Sequence, residues 1–141
     1  MANEDVLKLQ HSYKCAPEKL FDAWLDPALV AQFMCPGAMH VSHLEWPAKV
    51  GGQFRVDMTD GAKTVPHRGR FLEIDRPKRL VFTWSSEHAG EDTRVTLDFK
   101  AQQDRTLLTL THERLPSKKA IEMHHEGWSG VLDKLTSTVI S

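Results

Sequence analysis

The chain has 141 residues, 40% of them hydrophobic and 26% charged, with a formal net charge of −1, an ordinary balance for a globular domain. Such near-neutrality lacks the clustered basic excess of a nucleic-acid-binding surface, and no stretch approaches the roughly 18 apolar residues of a membrane span. The acidic start, Met1-Ala2-Asn3-Glu4-Asp5, lacks the basic and apolar regions of a secretory signal, and Cys15 and Cys35 are too few for a disulfide framework, so a cytoplasmic protein with free thiols is expected.

Residues 5–13 predict a strand, with Val6, Leu7, Leu9 and Tyr13 in imperfect alternation around Lys8 and Gln10. Pro17 then sits where a helix accepts it, at the first helical position, with Glu18 favourable in the first turn. Leu20, Phe21, Ala23 and Trp24 give that short helix an apolar face. Asp26-Pro27 repeats the device as cap and first residue of a second helix carrying Leu29, Val30 and Phe33, which the Pro36-Gly37 turn ends.

From residue 39 to 113 the period is two. Met39–Trp46 predicts a strand closed by Pro47, and Gly51-Gly52 a turn before Phe54, Val56 and Met58. Asp60-Gly61 suits a hairpin. Arg68–Ile74, residues 79–85, the alternation of Val95, Leu97 and Phe99, and that of Leu108, Leu110 and His112 predict the remaining strands. Short turns between consecutive strands imply antiparallel pairing, because parallel pairs need long crossovers.

The last segment changes to a period of about 3.6. Ser117 is positioned as an N-cap, and Ile121, His124, Trp128, Leu132, Leu135 and Val139 form one stripe opposite Lys119, Glu122, Glu126, Asp133 and Ser137. Gly127 and Gly130 each disfavour the helix by about 1 kcal/mol relative to Ala, which points to close approach of another element or to freedom beside a cavity. The stripe must be buried, and the sheet is the one large surface that can cover it. No repeat or composition shift divides the chain, so one domain over 1–141 is expected. The order predicts an α+β fold: a twisted, curved antiparallel sheet of about seven strands around a long C-terminal helix.

Several stretches resemble the activator of heat-shock-protein-90 ATPase homologue family, within the START/Bet v 1-like (SRPBCC) superfamily. They are Ala16-Pro17-Glu18-Lys19-Leu20-Phe21-Asp22-Ala23-Trp24 with Asp26-Pro27, Gly51-Gly52-Gln53-Phe54-Arg55, Gly69-Arg70-Phe71-Leu72-Glu73-Ile74, and Arg79-Leu80-Val81-Phe82-Thr83-Trp84. Leu108-Thr109-Leu110-Thr111-His112-Glu113 and the run from His124 to Leu135 complete the set, in order over about residues 8–140. The resemblance implies the helix-grip fold and a hydrophobic cavity. It does not imply chaperone activation, a property that the family name inherits from a larger protein. One departure stands out: members usually carry Trp-Trp or Trp-Phe near the pocket mouth, where this chain has Phe33-Met34.

The candidate ligand-binding residues are Phe33, Met39, Phe54, Val56, Met58, Phe71, Trp84 and Trp128, an apolar set of the kind that lines small-molecule sites, with Ile121, His112 and His124 beside them. The first functional expectation is a binding protein for a small hydrophobic or amphipathic molecule. A second is a cyclase- or dehydratase-like enzyme in the same space, with His112, His124 or Glu113 moving protons. A third is a stress-related co-chaperone-like interaction protein. His40/His43 and His124/His125 diverge in direction, so no metal site is expected, and no nucleotide or dinucleotide fingerprint calls for a cofactor. Glu73 and Glu113 are candidate buried acids, and Cys35 a candidate thiol beside the mouth. A homodimer through an exposed strand edge is compatible with this fold.

Overall fold

The computed structural model describes residues 6–35 and 37–140, apart from the Ile140 side chain. The acidic start and Pro36 of the predicted turn lie outside the described residues. The elements are β1 (Leu7–Tyr13), α1 (Pro17–Leu25), α2 (Pro27–Phe33), β2 (His40–Glu45), β3 (Gln53–Asp60), β4 (Lys63–Asp75), β5 (Arg79–Ser86), β6 (Gly90–Gln102), β7 (Arg105–Glu113) and α3 (Lys118–Ile140). The seven strands form one curved sheet in the order β1-β7-β6-β5-β4-β3-β2, every neighbouring pair antiparallel.

Two strands run further than their alternation predicts. β4 begins at Lys63, immediately after the Asp60-Gly61 hairpin, and passes through Pro66. Its pairing with β5 starts only at Arg68, so residues 63–67 pair with β3 alone. Proline is tolerated on such a one-sided stretch. β6 likewise extends to both of its hairpins. Register shifts in the pairing of β4 with β5, between Phe71 and Glu73, and of β5 with β6, between Trp84 and Ser86, bend the strands that carry the central aromatic side chains.

The caps form as the residue types require. The Asp26 carboxylate accepts from the Ala28 N–H at 2.9 Å, with Pro27 opening α2. The Ser117 hydroxyl accepts from the Ala120 N–H at 3.1 Å at the start of α3. Removing the first of these caps by Asp26→Ala is expected to lower unfolding free energy by about 1 kcal/mol, read from the midpoint of urea denaturation. An unchanged midpoint would mean that α2 is held by packing alone.

Trp46, Phe54, Phe71 and Phe82 make one aromatic cluster, with ring centroids 4.8–6.2 Å apart. The Trp46 indole N–H donates to the Trp24 carbonyl at 2.7 Å, so this cluster ties α1 to the sheet. Gly69 makes the packing feasible: a Cβ there would collide with the Phe54 ring and the Thr83 carbonyl. Leu132, Leu135 and Val139 of α3 are buried, and the buried Tyr13 hydroxyl donates to the Leu132 carbonyl at 2.8 Å, fastening β1 to the helix. Burial raises the Tyr13 pKa far above its usual value.

Candidate functional site

The aromatic cluster fills one part of the space between sheet and helix. Beside it, toward the N-terminal half of α3, a pocket of about 260 Å³ remains. Met58 on β3, Val65 and His67 on β4 and Trp84 on β5 form its sheet wall. His124, Gly127, Trp128 and Val131 form its helix wall, and Met39 closes one side. The exposed residues His88 and Met123 lie on its rim. Trp84 and Trp128 lean on one another with centroids 5.0 Å apart, and the His67 ring lies 5.0 Å from Trp84. The Trp84 indole N–H is buried and has no hydrogen-bond partner among the described residues. Gly127 meets nothing within 4 Å of a Cβ placed on it, so packing does not require glycine here and the space beside it belongs to the pocket.

Behind Trp128 runs a buried relay. The Trp128 indole N–H donates to His112 Nδ1 at 3.0 Å. His112 Nε2 lies 2.7 Å from the Thr93 hydroxyl, which itself donates to the Trp84 carbonyl. With that hydroxyl proton committed, Nε2 must carry the imidazole hydrogen and Nδ1 must be bare. The ring is thereby fixed as one neutral tautomer with both nitrogens engaged. Burial first, and then the neighbouring His124, push its pKa down to about 3. His112 therefore joins helix, β7 and β6 structurally, reaches β5 through Thr93, and has no free nitrogen for proton transfer.

His124 and His67 are pinned the other way round. His124 Nδ1 lies 2.8 Å from the Ala120 carbonyl, and His67 Nδ1 lies 3.2 Å from the Val56 carbonyl. A carbonyl only accepts, so Nδ1 bears the hydrogen in each ring. Burial pushes the His67 pKa down to about 4, against the upward pull of the Val56 and Val65 carbonyls, with His124 and His88 lowering it further. His124 is lowered by burial, against its Ala120 bond, with His88 adding to the effect. Both rings are neutral near pH 7.

A family model described as activator of Hsp90 ATPase homolog 1-like protein matches residues 14–139. The chain belongs to this family. Among solved structures, protein CV1439 from Chromobacterium violaceum is similar at 23% identity and TM-score 0.89, over 97% of this chain and 98% of that one. The AHSA1 protein from Silicibacter pomeroyi is similar at 23% identity and TM-score 0.85, over 96% and 97%. DynU16, from the dynemicin biosynthetic locus, is similar at 22% identity and TM-score 0.80, over 97% of this chain and 48% of that one. At these identities the likeness is one of fold. No match was found among the curated proteins.

In this Hsp90-ATPase-activator-homologue-like chain, the candidates Met39, Met58, Trp84, His124 and Trp128 come together around the pocket. The other candidates lie elsewhere. Phe33 is fully buried against Trp24 at 4.9 Å, so Phe33-Met34 belongs to the core and not to a mouth. Phe54 and Phe71 are spent in the aromatic cluster, and Val56 is fully buried outside the pocket lining. Ile121 sits on a separate shallow groove with Glu122 and His125. His112 stands one layer behind the wall. Glu73 is exposed, and Glu113 is half-buried on the strand face opposite His112, so these acids and His112 do not converge. Cys35 and Cys15 are free thiols, and Cys35 is buried with the Lys134 ammonium 3.2 Å from its sulfur. Sequence reasoning missed Val65, His67, His88, Met123 and Val131. Only Val65 and His67, at alternate positions before Gly69, carried a signal that would have found them.

Proposed function

We propose that the protein binds a small, mainly apolar molecule in the pocket between α3 and strands β3–β5. The observation that carries the reading is the wall itself: methionine, valine and tryptophan side chains on every side, with three histidines as its titratable residues. Such a lining favours an apolar ligand oriented by a few polar contacts, and methionine adapts to irregular shapes. The volume suits a compact molecule of one or two rings. Structural likeness to DynU16 supports searching first among small organic metabolites. No helix among the described residues is long and apolar enough to cross a membrane, and no metal-binding group of His, Cys, Asp or Glu occurs among them.

Gly127 supplies the test. Gly127→Leu places a side chain into the open space while replacing a poor helix former by a good one, worth about 1 kcal/mol to the helix. The variant is expected to melt no lower than the parent, yet to lose naphthalene binding, followed through tryptophan fluorescence. Equal binding by both proteins would place the ligand elsewhere. Native mass spectrometry of the purified parent adds a direct search for a co-purified molecule.

A further inference from the structure

We infer that the pocket selects a neutral ligand bearing a hydroxyl group, a phenol or an alcohol, which donates to a bare imidazole nitrogen of His124 or His67. This inference rests on the pocket reading above and specifies the polar end of its ligand. In both rings the hydrogen is committed at Nδ1 to a backbone carbonyl. A neutral imidazole with its hydrogen at Nδ1 presents Nε2 as an acceptor only. Among the described residues the His124 ring bonds Ala120 alone, whereas the Val65 carbonyl also acts on the His67 ring beside Val56. The pocket wall thus offers His124 Nε2 as its first acceptor, with His67 as the second.

Trp84, the wall's tryptophan on β5, has its ring 5.0 Å from that of His67, and its indole N–H is buried away from the pocket surface without a partner among the described residues. The open polar capacity of the wall is therefore that of an acceptor, and a hydroxyl supplies the one hydrogen that a bare imidazole nitrogen accepts. A carboxylate has nothing to donate and would face the imidazole lone pairs with no cationic side chain in the lining. An ammonium could donate, but burial among apolar side chains opposes its charge.

The test compares naphthalene, naphthol, its methyl ether and naphthoate by calorimetry near neutral pH. Naphthol is expected to bind about five- to tenfold more tightly than the methyl ether, the range of one net hydrogen bond, with naphthoate weakest. His124→Phe and His67→Phe together should abolish that preference, read as the ratio of naphthol to methyl-ether affinity within each variant, and glutamine at the same positions should restore part of it by offering an amide oxygen. Equal binding of naphthol, its ether and naphthalene would overturn the hydroxyl inference and leave the pocket reading intact. Binding of none would overturn both. Tightest binding of naphthoate would overturn the neutral-acceptor assignment. Should the phenylalanine variants not fold, nitrogen NMR of the parent's imidazoles decides: hydrogen at Nε2 in both rings would overturn the inference, and hydrogen at Nδ1 supports it.

Discussion

His112→Ala is expected to destabilise the protein by about 3–5 kcal/mol, close to the effect of emptying a large core side chain. His112 is fully buried. Its removal takes away packing against Trp128 and His124, whose rings lie 6.1 and 5.2 Å away. It also leaves the Trp128 indole N–H without its acceptor in a place water does not reach, and an orphaned buried donor alone is worth about 1–3 kcal/mol. His112→Phe separates the two contributions. It restores most of the volume and keeps the lost hydrogen bonds lost, so it should sit between the parent and the alanine variant. Urea denaturation of the three proteins reads the order directly. If phenylalanine matched the parent, the relay would contribute nothing and His112 would be mere filling. If alanine fell within about 1 kcal/mol of the parent, the site would have collapsed around the gap, and the wall behind the pocket would be softer than its hydrogen bonds imply.

The fold was legible because its signals are local and periodic. Asp26-Pro27 and Ser117 carry their capping chemistry in their own side chains, and the shift from period two to period 3.6 after Glu113 marks sheet and helix without help from tertiary contacts. The pocket was less legible. Alternation tells which face of a strand a residue takes, but not how far along that face the interior is filled. Phe54 and Met58 share a face of β3, yet Phe54 is drawn into the cluster over Gly69 while Met58 reaches open space. The helix posed the same difficulty in another form. Ile121 fits the stripe by spacing, but the pocket lies on the Met123, Gly127 and Val131 side of it, a rotation that only the sheet's curvature decides. His67 escaped notice because Pro66 weakens the strand signal around it, and that strand exists there because β3 alone pairs with it. Tautomers are further still from the sequence, since each depends on a single carbonyl or hydroxyl placed by a different element.

Acidification should destabilise the protein well before its carboxylates titrate. An unfolded histidine takes up a proton near pH 6.5, whereas in the folded state His67 does so at about 4 and His112 at about 3. Between those values the unfolded chain binds more protons than the native one, so stability falls as pH falls. Stability from these rings is fully present above about pH 6.5 and is progressively lost down to pH 4 for His67 and pH 3 for His112. Each ring contributes about 1.4 kcal/mol per pH unit inside its window, so near pH 5 the two together should have removed about 4 kcal/mol. His124, lowered by the same burial, adds in the same direction. The Arg76 guanidinium holds the Asp22 carboxyl below the usual range, and any contribution from that exposed pair is lost only at more acid pH. Unfolding free energy measured against pH should therefore show its steepest slope between about 6 and 4, and His67→Gln should flatten that slope by one proton's worth. A curve that stays level from neutrality to about pH 5 would mean that both rings reach water, and with it that the bare His67 nitrogen at the pocket wall is already satisfied by solvent.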